Sequence, residues 1–309
     1  MKKSFWNLTT VMGWIYDHDL NIRVAGENSK NPGVEFINGT LSIATDDECM
    51  NVVPVHFTYV TEMTSNNKTN TSFIALKKII DGDYNTVMRD GKENATKIKV
   101  SSAIDLNEWF NADGNLVSTK RNEGGFIHIN PIDWTDDENK RNTFKVDILI
   151  NGFKRIEANE DRGTPERGIL KGAIFNFRKE LLPVEFTVTN EEAMNYFESL
   201  VEGAAGQPIF TVVQGNMISQ TVIRKITEES AFGEPIVRET RSSYKDYVVN
   251  WANPSPYDFD DENTLLASEL SEMIQQREIR KAEIKQRADE YQASKGKKVA
   301  TPANKGYNF

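Results

Sequence analysis

The chain has 309 residues, 38% of them hydrophobic and 27% charged. That length exceeds one typical core and that composition excludes wholesale disorder, so two domains are expected. The formal net charge is −9, and residues 295–309 hold four lysines and no acid, which leaves −13 on residues 1–294 and makes any basic groove a local feature.

The opening Met1-Lys2-Lys3-Ser4-Phe5-Trp6-Asn7-Leu8 has two lysines but no apolar run of signal-peptide length, and no later segment reads as a bilayer span. A cytoplasmic protein with no membrane partner is expected. The lone Cys49 leaves no intramolecular disulfide, in keeping with that compartment. Triplets such as Asn38-Gly39-Thr40 and Asn94-Ala95-Thr96 then read as turn chemistry, not glycosylation.

Ile22-Arg23-Val24-Ala25-Gly26 predicts a first strand, Phe36 to Ile43 a second and Val52 to Thr61 a third. Ser72 is the expected cap of a helix with Phe73, Leu76, Ile79 and Ile80 as its buried stripe and Gly82 as its stop. Strand signals return at Thr96–Ser101 and Phe126–Ile129, and Trp109-Phe110 follows the fourth strand. A joint falls near residues 131 to 145.

The same order then recurs. Ile148-Leu149-Ile150-Asn151-Gly152, Ile169 to Asn176 and Leu181 to Thr189 read as strands. Thr189-Asn190-Glu191-Glu192 fits a capping box ahead of Ala193, Tyr196, Phe197, Leu200 and Val201, with Gly203 closing the helix. Phe210–Gly215 and Tyr244–Val249 complete the set. The two halves share an apolar pair, one residue and a glycine (Phe36-Ile37-Asn38-Gly39; Ile169-Leu170-Lys171-Gly172), followed by Pro-Val-x-Phe-Thr at Pro54 and Pro183.

Three strands, a helix and two strands, twice over, resembles the OB-fold, whose second and third strands and L12 and L45 loops commonly bind oligonucleotides. The expected architecture is mainly β with short helices: two tandem OB-like five-stranded barrels over 1–135 and 140–255, a C-terminal helix over 256–294, and a flexible basic tail over 295–309.

Alternation assigns Ile37, Leu41 and Ile43, with Leu170 and Ile174, to the core. Phe36, Ser42, Phe175 and Phe177 then point outward. Exposed aromatics can stack bases while Lys and Arg track phosphates. Phe175, Phe177, Arg178 and Lys179 form such a cluster, with Lys171 on the same strand and Phe153, Lys154 and Arg155 on the adjoining one. Packing beneath a neighbouring segment is the competing explanation.

The span Thr221–Ser243 reads as a projecting hairpin at the L45 position, with Arg224, Lys225, Arg238 and Arg241 and a Phe232 tip, tempered by Glu228, Glu229, Glu234 and Glu239. Lys97 and Lys99 alternate along a strand, and Lys77 and Lys78 end a helix, where they also complement its dipole. His18, His56 and His128 are isolated and no phosphate loop or nucleophile elbow occurs, so neither an enzyme, a metal site nor a cofactor is expected.

Asn253-Pro254-Ser255-Pro256 ends the second unit, and Asp258, Asp260, Asp261 and Glu262 precede a helix from about Thr264 to Tyr291. Its Leu266, Leu270, Met273 and Ile274 are expected to dock, and Arg277, Arg280 and Arg287 continue the same face. The repeated units, Glu229-Ser230-Ala231-Phe232-Gly233-Glu234-Pro235 and the Asp-rich approach to a charged helix together resemble phage-encoded single-stranded DNA-binding proteins of replication modules. The resemblance implies binding of single-stranded DNA without sequence preference, and contacts with replication or recombination proteins through the terminal helix or tail. A final aromatic such as Phe309 matches the recruiting tails of that group, whereas the lysines around it do not. The rival readings are a virion or tail structural β-barrel protein and a protein-binding adaptor.

Overall fold

The computed structural model describes residues 5–27, 29–111, 113–158, 165–228 and 236–296, with side chains described outside 221–243 and 294–296. The first strand, β1 (Asn7–His18), forms from a run whose Thr9, Val11 and Ile15 turn inward. This corrects the expectation that Ile22–Gly26 opens the first unit. Asn21–Val24 (β2) is exposed throughout, because its pairing is with β3 (Glu35–Ala44) at the sheet edge, whereas β1 has neighbours on both sides.

The first unit continues through β4 (Val52–Thr61), α1 (Thr71–Ile80), the single turn α2 (Val87–Asp90), β5 (Lys97–Phe110) and β6 (Leu116–Ile129). Its pairings run β1–β3 and β3–β4 antiparallel, β4–β6 parallel, then β6–β5 and β5–β1 antiparallel. The second unit repeats them with β7 (Asn142–Ile156), β8 (Arg167–Phe175), β9 (Leu181–Val188), α3 (Glu191–Gly203), β10 (Ile209–Glu228) and β11 (Ile236–Ala252). Each is an OB-like five-stranded unit with its helix between the third and fourth strands. Antiparallel pairing of β1 with β7, from Asn7↔Val146 to Val11↔Asn142, merges both into one 11-stranded sheet.

Alternation fills the cores as the sequence requires. On β5, Ile98, Val100, Ser102, Ile104 and Leu106 are buried in succession, and Ile37, Leu41, Ile43, Leu170 and Ile174 are all inaccessible. Phe73, Leu76 and Ile79 of α1 and Met194 and Phe197 of α3 add to this core. Both helices are capped by asparagine, not by Ser72 or Thr189: Asn70 Oδ1 accepts from the Ser72 amide at 3.1 Å and Asn190 Oδ1 from the Ala193 amide at 3.0 Å. Two motif halves differ in register. Pro54 opposes Ser42 as Pro183 opposes Ala173, but Gly39 opposes Phe57 while Gly172 opposes Val184, because the glycine lies 15 residues before the proline in the first unit and 11 in the second. Gly13 admits β3 close to β1: a Cβ there would sit 1.8 Å from the Ala44 carbonyl oxygen.

The 131–141 connection is pinned to the first unit by Arg141, a fully buried cation. Its guanidinium lies 5.2 Å from the Trp14 ring and 4.7 Å from the Trp134 ring, and donates to Asp47 at 2.8 Å and to the Thr135 carbonyl at 2.7 Å.

A second apolar cluster lies outside the main core. Phe175, Leu181 and Phe210 pack with Leu265, Leu270 and Met273 from the chain end, and Phe5 stacks on Phe175 at 4.1 Å. The last two belong to α4 (Ala267–Gly296), whose start is held by Asp260 Oδ1 accepting from the Ala267 amide at 2.9 Å. Beyond the apolar turns, Arg277 makes a bidentate pair with Glu108 of β5, both side chains nearly inaccessible. Thus α4 spans from the second unit to the fourth strand of the first. Among the described residues no helix is long and apolar enough to cross a membrane.

Candidate nucleic-acid interface

The fourth and fifth strands of each unit outrun their own unit and reach the other. The β5–β6 arm lies over the outer face of β8–β9, where Lys120 Nζ donates to the Glu185 carbonyl. The β10–β11 arm meets the first unit at Asn51, whose amide donates to the Met217 carbonyl at 3.2 Å and whose Oδ1 accepts from the Ser219 amide at 2.6 Å. Between the arms the Tyr247 hydroxyl donates to Asn122 Oδ1 at 3.0 Å.

Two clefts result. The larger, about 540 Å³, has Leu106, Ser118 and Lys120 on one wall and Ile169, Lys171, Pro183 and Glu185 on the other. The smaller, about 80 Å³, lies between Pro54, His56 and Arg121 of the first unit and Ser219 and Lys245 of the second. Lys120 and Asp246 line both, so the clefts adjoin. Four cations, Lys120, Lys171, Arg121 and Lys245, share the lining with two carboxylates, Glu185 and Asp246. On a chain of net charge −9 this is a local reversal of sign.

Both carboxylates are engaged by protein donors. Asp246 accepts from Thr187 Oγ1 at 2.5 Å and from the Tyr244 hydroxyl at 2.7 Å, and Glu185 pairs with Lys171 at 3.1 Å. Lys120 is the central cation, 4.9 Å from the Phe186 ring and 5.0 Å from that of Tyr247. Burial pushes its pKa down to about 8, against the opposing pull of Asp246 and Glu185. His56 is likewise held below its ordinary value, first by burial and then by Arg121 and Lys245. The clefts therefore present hydrogen-bond donors and positive charge next to aromatic and prolyl surface, a combination suited to a polyanion carrying flat rings.

Of the DNA-contact candidates from sequence whose side chains are described, only Lys171 lines these clefts. Phe175 is fully buried under Phe5 and the α4 segment, a correction: alternation does turn it out of the barrel, but the chain ends cover it. Phe177 is 88% exposed, with the Arg178 guanidinium 5.1 Å over its ring. Phe153 stacks on Phe197 of α3 and packs on the core, so it is corrected from a surface platform to a packing residue. Arg155 is engaged by Glu166 at 3.3 Å, Glu198 at 3.0 Å and Asn195, while neighbouring Lys154 is exposed.

Phe36 packs against Tyr59 on the outer face of β3–β4, ring centroids 4.5 Å apart and planes tilted by 36°. Lys97 sits 4.1 Å over Trp134 and Lys99 pairs with Asp133, which commits both to the 131–141 connection. The backbone of the long hairpin is as expected, Arg224 opposite Thr240, Lys225 opposite Glu239, Arg238 opposite Ile226 and Arg241 opposite Ile223; those side chains, and all of Phe232, lie outside the described residues.

Lys120, Arg121 and Lys245 were not distinguishable in sequence. The available signal was strand alternation continuing from Asn107–Phe110 across Leu116–Arg121, which marks an arm without telling what it reaches.

Fold and clefts together define a β-rich protein of two OB-like units whose crossed arms enclose a cation-lined groove. The chain belongs to the YorF family, whose model matches residues 19–288. It is also similar to a deletion mutant of the single-stranded DNA binding protein from Thermus aquaticus, at 12% identity and a TM-score of 0.44, over 82% of this chain and 96% of that one. No curated protein matches the sequence.

Proposed function

We propose that this protein binds single-stranded DNA without sequence preference, as part of a phage DNA replication or recombination module in the host cytoplasm. The observation that carries the reading is the groove at the crossed arms, where Lys120, Lys171, Arg121 and Lys245 outnumber the carboxylates on an otherwise acidic chain. Phosphates would lie along these cations, and bases against Ile169 and Pro183. The pairs Phe36–Tyr59 and Phe177–Arg178 are peripheral stacking platforms in this scheme. The β10–β11 hairpin, with Arg224, Lys225, Arg238, Arg241 and its Phe232 tip, is the clamp. Residues 1–135 and 140–255 act as the two binding domains, and the helix and tail beyond them as the contact for replication or recombination proteins. The reaction is binding alone and needs no cofactor.

The test is a titration of intrinsic tryptophan fluorescence with single-stranded oligonucleotides at two salt concentrations, with duplex as control. Saturable, salt-sensitive binding that prefers the single strand is expected. Its absence sinks the reading.

A further inference from the structure

Helix α4 makes a third cleft with the β5–β6 arm, next to the groove. Its volume is about 510 Å³, and it shares Leu106 with the groove at the crossed arms. Arg280, Ile284, Arg287, Ala288 and Tyr291 line it from α4, at the spacing that puts them on one helical face. Trp109 and Arg121 line it from the arm.

Three properties of this cleft point to one kind of ligand. Trp109, on the arm wall, is 42% exposed and offers a large aromatic surface to solvent. Arg121, Arg280 and Arg287 supply three cations, while Glu108, the one carboxylate on the lining, is already neutralised by Arg277. The acidic partners of those cations lie outside the lining: Arg121 pairs with Glu123 at 2.9 Å, Arg280 with Glu180 at 3.7 Å and Arg287 with Glu283 at 3.9 Å. Both of the last two are long, and the Arg287–Glu283 pair is solvent-exposed while Arg280–Glu180 is half-buried, so a phosphate competes most readily at Arg287. The wall itself is fixed, because Leu270 and Met273 are buried and Arg277 is locked to Glu108.

We propose that this cleft is a second single-strand subsite, in which a base stacks against Trp109 and the adjoining phosphates meet Arg121, Arg280 and Arg287. This rests on the single-stranded DNA reading above and extends it: one strand passes from the groove, over Leu106, into a site that α4 completes. The C-terminal helix is then part of the nucleic-acid surface.

The test uses the full chain with Trp109→Leu, Trp109→Phe and the double variant Arg280→Gln/Arg287→Gln. Fluorescence anisotropy follows labelled oligothymidylates of about 8 and about 30 nucleotides, lengths below and above the span of two such units. Wild type is expected to bind the longer one more tightly. Trp109→Leu and the double variant are expected to lose roughly tenfold or more on the longer oligonucleotide, within the range for one stacked base, with a shorter occluded length and little change on the short one. Trp109→Phe should restore most of the loss. Natively folded variants that keep the wild-type length dependence overturn the subsite while leaving the groove intact. Failure of wild type to bind either oligonucleotide overturns both readings.

Discussion

Thr10 and Thr143 face each other across the β1–β7 pair and occupy the same position in the two units. Ile15 opposes Ile43 and Ile148 opposes Ile174, and counting back five residues from each reaches Thr10 and Thr143. The junction is therefore self-complementary about this pair, an internal counterpart of a two-fold dimer interface. It explains why the arms cross reciprocally: what β5–β6 does to the second unit, β10–β11 does to the first.

Because the two threonines are directly opposed and half-buried, charge placed on both is felt at once. Thr10→Lys/Thr143→Lys should lower stability by about 1 kcal/mol, and Thr10→Lys/Thr143→Glu should recover most of it. Urea unfolding of the three proteins checks the register; equal stability of both double variants would contradict it.

Phe175 and Phe177 are two residues apart and differ wholly in environment, one inaccessible and one 88% exposed. Phe175→Ala empties the cluster beneath Phe5 and α4 and should cost about 3–5 kcal/mol. Phe177→Ala should fall within about 0.5 kcal/mol of wild type. Denaturant midpoints at unchanged slope separate the two.

Lys120 makes stability and binding depend on pH in opposite senses. Its folded pKa of about 8 lies below the ordinary 10.5, so between those values the unfolded chain holds the extra proton and stability rises with pH. The cation proposed to meet phosphate is lost over the same alkaline range. Affinity for single-stranded DNA should thus fall from pH 7 to 9 in wild type and stay flat in Lys120→Met, which should be at least as stable as wild type at pH 7. A steeper fall in the variant would remove Lys120 from the interface.

Lys171→Gln and Lys245→Gln each remove one candidate phosphate contact at opposite ends of the groove. Each should reduce the slope of log affinity against log salt by about 0.7, the value for a single strand. Binding isotherms at four salt concentrations measure it, and an unchanged slope in both would place the strand elsewhere.

The sequence by itself determined the interior. Alternation in Phe36–Ile43 and Ile169–Phe175 named Ile37, Leu41, Ile43, Leu170 and Ile174, all buried, and the repeated order of strands and helix named the OB-like units. It could do so because a strand buried on one face must repeat every second residue, and that constraint is local. What lies on the outer face is set by distant segments. Phe175 is covered by Phe5 and α4, Phe153 by α3, Lys99 by Asp133 and Arg155 by Glu198, none of which alternation can see. The groove is the extreme case: Lys120 and Lys171 are 51 residues apart and face one another through the crossing of the arms about Thr10 and Thr143. Local periodicity decides which side chains leave the barrel, and only the docking of one unit on the other decides which of them remain open to a ligand.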